Sequence, residues 1–121
     1  MTQTAEQVWQ DYMVAVKNGG NRWQELLNDS VSFTGPLVQL YGKDEFVKMT
    51  GDFFKMISNY EIERTLSGGD AIAVEAKISV NSPTGKQVLM DVAELYTVKD
   101  GKIQAVKMYY DPTEFRQEFG I

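Results

Sequence analysis

The stretch AIAVEAKISVNSPTGKQVLMDVAELYTVKDGKIQAVKMYY, residues 71–110, decides the fold. Its first ten residues alternate. Ile72, Val74, Ala76, Ile78 and Val80 fall on one face, and Glu75, Lys77 and Ser79 fall on the other. A period of two marks a strand with one buried face. NSPTGK then turns the chain. QVLMDVAELYTV, residues 87–98, carries apolar residues in both phases, as does IQAVKMYY, residues 103–110. The KDGK between them is a hairpin signal, because Asp-Gly tolerates the positive φ angles of a tight turn. Upstream, YEIERTL (60–66) enters the same pattern through the turn SGGD. Four strands joined by short turns predict an antiparallel meander.

Before the meander the period is helical. In TAEQVWQDYMVAVKNGG, Thr4 and Gln7 stand at capping-box spacing, and Val8, Tyr12, Ala15 and Val16 share one face. Asn18, Gly19 and Gly20 end that helix. NRWQELLND restarts with Asn21 and Gln24 at the same spacing and predicts a second helix burying Trp23, Leu26 and Leu27. Val31 to Thr34 reads as a short strand broken by Gly35-Pro36. In KDEFVKMTGDFFKMI, Phe46, Met49, Phe53, Phe54 and Ile57 define the face of a third helix. PTEFRQEF predicts a terminal helical turn from Pro112. The expected fold is α+β: three N-terminal helices packed on an antiparallel sheet. One domain, residues 1–121, is expected from the length and the lack of any linker. The helices cover one face of the sheet, and the two-phase apolar strands call for a partner subunit on the other.

The composition narrows the chemistry. The chain has no cysteine and no histidine. Thiol catalysis and disulfides are excluded, and so are the commonest neutral-pH base and the commonest transition-metal ligand. Acid–base work falls to Asp, Glu, Tyr or Lys. No metal or nucleotide cofactor is expected, because there is also no Gly-rich phosphate loop. The net charge is −5 with no basic run, so nucleic acid is not an expected partner. The start, MTQTAEQVWQ, lacks the pattern of a secretory signal, and no apolar run approaches the ~20 residues that span a membrane. A cytoplasmic domain is expected.

Several local motifs occur together: the helix pair, F-x-G-P at residues 33–36, PTG at 83–85, DGKI at 100–103 and YYDPxxF at 109–115. Their order and spacing resemble the nuclear transport factor 2-like fold over nearly the whole chain. Within it the chain resembles SnoaL-like polyketide cyclases and ketosteroid isomerase-like proteins. The resemblance implies a curved sheet around a cone-shaped pocket, and a homodimer through the sheet. It also implies site residues. Tyr12, seven residues before Gly19, matches an oxyanion-donating tyrosine of the isomerases. Gly35 stands before Pro36, where their general-base aspartate would be. Their second oxyanion donor falls near Ala93, with Asp91 and Glu94 close by. Asp111 matches an aspartate of limonene-type epoxide hydrolases and the acid–base aspartate of SnoaL-like cyclases. The epoxide hydrolases' remaining arginine and aspartate fall at Glu75 and Lys77, which do not match, and the cyclases' histidine has no counterpart.

Two candidates for catalysis follow, Asp111 and Tyr12. Asp111 is either a cap for the terminal turn or a carboxylate at a pocket rim whose pKa apolar neighbours would raise. Tyr12 is either a core tyrosine or a polar group in the pocket. Phe33, Phe54, Met90 and Tyr109 are the expected pocket wall, with Met49, Met56 and Met108 as further adaptable lining. Glu75 and Lys77 read as a solvated or dimer-facing pair. Glu94 and Asp91 lie on a central strand, where a buried carboxylate needs a partner such as Lys107 or a place at the dimer edge. The leading reading is a protein that binds a small apolar molecule without necessarily transforming it. The alternative is a cofactor-independent isomerase, cyclase or hydrolase using Asp111 as acid–base and Tyr12 as oxyanion donor.

Overall fold

The computed structural model describes residues 4–121. Helix α1 spans Ala5–Asn18. Its capping box forms as the sequence indicates: Gln7 N–H donates to Thr4 Oγ1 (3.2 Å) and Thr4 N–H donates to Gln7 Oε1 (3.0 Å). A five-residue 3-10 turn, Arg22–Leu26, leads into β1, Leu27–Thr34. Strand β2 is Gln39–Tyr41, and helix α2 is Lys43–Met56. Then come β3 (Ile57–Gly68), β4 (Ala71–Asn81), β5 (Gln87–Lys99) and β6 (Lys102–Tyr109). Helix α3, Thr113–Phe119, closes the order.

The meander β3-β4-β5-β6 is antiparallel throughout. Its last hairpin turns on Asp100 (φ 55°) and Gly101 (φ 77°), both left-handed as a type I′ turn requires. The sheet is larger than the meander and is mixed. Its order is β2-β1-β6-β5-β4-β3, and β1 runs parallel to β6. The expected trio of N-terminal helices is therefore corrected. Two helices and a 3-10 turn precede the meander, strands β1 and β2 lie between them, and the third helix is C-terminal.

The reason lies at residues 27–30. Helix stops and strand begins at Leu27, which is fully buried opposite Ile103. Asn28 and Ser30 look helix-neutral in sequence, but their side chains serve the sheet. Asn28 Nδ2 donates to Lys99 O and Gln104 Oε1, both at 3.0 Å, and Gln104 Nε2 donates to Ser30 O and Oγ. These bonds bridge the register shift between Leu27 and Ser32. Further shifts occur on β3–β4 and β5–β6. Such irregularities bend the strands that carry them, and the sheet curves.

Helices α1 and α2 pack on the concave side. An aromatic chain ties them: Tyr12 meets Trp23 edge-on (6.2 Å), and Trp23 meets Phe54 (5.2 Å). On β5 the buried phase is Val88, Met90, Val92, Glu94, Tyr96 and Val98. The opposite phase faces out. Leu89 on β5 and Tyr109 on β6 are 61% and 58% exposed on this single chain. No helix among the described residues is long and apolar enough to cross a membrane.

Candidate functional site

A cavity of about 810 Å³ lies between the curved sheet and the helices. Helix α1 contributes Tyr12, Met13 and Val16, and α2 contributes Phe46, Met49, Thr50, Phe53 and Phe54. The sheet supplies Phe33, Tyr60, Ile78, Glu94, Tyr96 and Met108, and the C-terminal segment adds Tyr110, Phe115 and Ile121. The lining is mostly aromatic and methionine, with a few polar groups, which is the make-up of a site for a small organic molecule.

Glu94 is the centre of the polar part. It occupies the inward phase of β5, so the strand's alternation places a carboxyl where its neighbours Val92 and Tyr96 are core. Its residue is 8% exposed. Tyr60 Oη donates to one carboxyl oxygen, and Tyr96 Oη donates to the other at 2.9 Å. Burial pushes the Glu94 pKa up, and the two tyrosine hydrogen bonds pull against that rise without cancelling it. The tyrosines respond in kind. Burial first, and the nearby Glu94 second, raise Tyr12, Tyr60 and Tyr96. All three phenols stay protonated, and Tyr60 and Tyr96 donate their hydroxyl protons to Glu94. Tyr12 is 3% exposed and packs 6.2 Å from Tyr96, ring to ring.

The sequence candidates divide. Tyr12, Phe33 and Phe54 line the cavity. Met90 is buried on β5's inner face but is not part of the lining. Tyr109 points out of the sheet, and its successor Tyr110 takes the place at the cavity. Asp111 lies beyond the end of β6 and is exposed. Its Oδ1 accepts from Thr113 N–H (3.0 Å) and Thr113 Oγ1 (2.7 Å), and these bonds hold its pKa below the usual aspartate value. These bonds tie Asp111 to Thr113, the first residue of α3, in a local turn. The expected pocket-rim carboxylate with a raised pKa is corrected: Asp111 is exposed, is not part of the cavity lining, and has a lowered pKa. Glu94 carries the correction's other half. Lys107 is exposed on the opposite face, so tyrosines, not a lysine, are Glu94's partners. The signal was in the sequence: one acid interrupts an otherwise apolar buried phase from Val88 to Val98.

Glu75 pairs with Arg64 of the neighbouring strand β3 on the half-exposed outer side of β4. Among the described residues, no three His, Cys, Asp or Glu side chains gather to hold a metal ion.

The architecture, a curved sheet closed by helices over a conical cavity, is the nuclear transport factor 2-like fold. A nuclear transport factor 2-like protein from Burkholderia thailandensis superposes with TM-score 0.83 at 17% identity, covering 97% of this chain and 98% of that one. A de novo designed protein with a curved β-sheet superposes with TM-score 0.73 at 20% identity, covering 96% and 91%. A candidate SnoaL-like polyketide cyclase from Mesorhizobium loti is 27% identical, with TM-score 0.72 over 89% of this chain and 100% of that one. No curated protein matches the chain. Residues 9–106 match the SnoaL-like domain model, and the chain belongs to that family.

The buried carboxyl makes a prediction about pH. A carboxyl whose folded pKa is raised binds more protons folded than unfolded, so its contribution to stability is full below the unfolded pKa and is lost as pH rises through the folded value. Glu94→Gln removes that loss. The variant should melt above the wild type at neutral pH, and the gap should close on acidification toward roughly pH 4–5, the ordinary glutamate range. Thermal melts of both proteins across this window check it. A gap that does not vary with pH would show that Glu94 is not a strained charge.

Proposed function

We propose that the chain binds a small, mostly apolar molecule in the cavity and holds one oxygen function of that molecule at Glu94. The observation that carries this reading is a buried carboxyl, braced by two tyrosine hydroxyls, at the wall of an apolar cavity large enough for a drug-sized ligand. The apolar walls supply affinity, and the polar cluster supplies orientation. Each carboxyl oxygen already accepts one tyrosine bond and keeps lone-pair capacity for a ligand hydroxyl. The family model and the shared fold support a binding or cyclase-type role. The composition supports a cytoplasmic setting.

The test uses two probes of one shape. 2-Hydroxyfluorene should bind the wild type tighter than fluorene by roughly 2- to 10-fold, the worth of one net hydrogen bond. Glu94→Leu should bind both equally. If neither probe binds at one site per chain, or if the preference survives Glu94→Leu, the reading fails.

A second reading has its own observation. Burial raises the Glu94 pKa and so favours a carboxyl that can hold and give up a proton inside the cavity, which Tyr12 also lines. In this reading Glu94 takes the acid–base role, and Asp111 takes none. It requires Glu94 to titrate above an ordinary glutamate in solution, and an ordinary titration curve would remove it.

We also propose that the outer face of the sheet joins two copies. Leu89, Ala93, Leu95 and Tyr109 lie there beside charges of both signs, Lys77 opposite Asp91 and Lys107 opposite Leu95. Such a mixed face can complement itself across a two-fold axis. Light scattering at micromolar concentration should give twice the 13.7 kDa chain mass, and Leu89→Glu should halve it. A wild-type monomer would contradict the proposal.

A further inference from the structure

Helix α2 buries two residues, Phe46 and Thr50, one turn apart on the same face. Around them the inward stripe is apolar, with Met49, Phe53 and Phe54. Thr50 is 8% exposed and lines the cavity. A threonine inside a helix ordinarily rests its Oγ1 on the carbonyl three or four residues earlier. Here those carbonyls belong to Val47 and Phe46, and neither bond forms. Among the described residues the Thr50 hydroxyl has no hydrogen-bond partner in the chain. Nor is it sealed away from the cavity, since Trp9 Nε1 alone among those residues is a fully enclosed side-chain polar atom without a partner.

Neither helix propensity nor packing accounts for a threonine at this place. Valine has the same shape and nearly the same helix propensity. It would fill the same volume with no polar atom to satisfy, so the hydroxyl is the only thing position 50 gains. The hydroxyl is left open to the cavity with its hydrogen-bonding capacity unused by the chain. A ligand oxygen supplies the missing partner.

We infer that Thr50 is a second polar anchor of the cavity, hydrogen-bonding from the α2 wall to an acceptor oxygen of the ligand at a point separate from Glu94 on the sheet. This rests on the reading of the cavity as a ligand site. The ligand class narrows accordingly. It is an apolar molecule with two oxygen functions, a hydroxyl that meets Glu94 and a carbonyl set apart from it. Thr50 discriminates such a hydroxyketone from the same skeleton without the carbonyl.

The experiment compares 2-hydroxyfluorene with 2-hydroxy-9-fluorenone, by fluorescence or calorimetric titration of the intact protein. Thr50→Val should weaken the hydroxyketone by roughly 2- to 10-fold and leave 2-hydroxyfluorene unchanged. Thr50→Ser, which keeps the hydroxyl, should restore hydroxyketone affinity. Thr50→Val should also melt at the same temperature as the wild type or higher, because the hydroxyl makes no bond within the chain that the methyl would lose. A structural role would lower it. Equal effects on the two probes, no effect on either, or a lower melting temperature would overturn the anchor while leaving the cavity reading intact. If the wild type binds neither probe, the cavity reading fails and the anchor fails with it.

Discussion

Glu94 sits in a place built for apolar residues, and the arrangement around it follows from that. A carboxyl removed from water is destabilising unless hydrogen bonds replace the lost solvation. Tyr60 reaches it from β3, and Tyr96 reaches it from its own strand. Those two residues must then present hydroxyls rather than phenyl rings toward the concave face. That fixes the polar end of the cavity, while the helices and the remaining strands supply the apolar walls. The sheet's curvature makes this possible. Its register shifts bend β3 and β4 enough for helices α1 and α2 to enclose space instead of packing flat.

The enclosed space itself departs from ordinary core behaviour. Protein interiors fill their volume, and an open volume of this size forfeits packing contacts. Local rules are broken in this way mainly where a site needs it. Thr50 and Tyr12 fit the same pattern, as hydroxyls on inward helical faces beside aromatic and methionine side chains.

Much of the fold was legible in the alternation of residues 71–110. That pattern specified the meander, its turns and its buried phase, and the capping box at Thr4 specified where α1 begins. Strands β1 and β2 were harder to read. Residues 27–30 carry no alternation, because Asn28 and Ser30 are held by side-chain bonds to Gln104 and to the backbone of Lys99, contacts more than 70 residues away in sequence. The site was half legible. Tyr12, Phe33 and Phe54 lie on faces that periodicity assigns to the interior, and they line the cavity. Tyr109 was misplaced by a single step of strand phase, since Met108 and Tyr110 line the cavity, and Asp111 lies past the end of β6, where alternation gives no guidance. Glu94 stood in plain view as the acid in a buried phase, but its partners lie 34 residues away and two residues away on different sides, which spacing does not reveal.

The account turns on the state of one carboxyl. Carbon-13 NMR of glutamate side chains, with Glu94 assigned by comparison to Glu94→Gln, follows that group directly as pH changes. The account predicts a Glu94 titration displaced above the ordinary glutamate value of about 4.3, and a further change when 2-hydroxyfluorene is bound. A Glu94 signal that titrates with the exposed glutamates and ignores the ligand would contradict it.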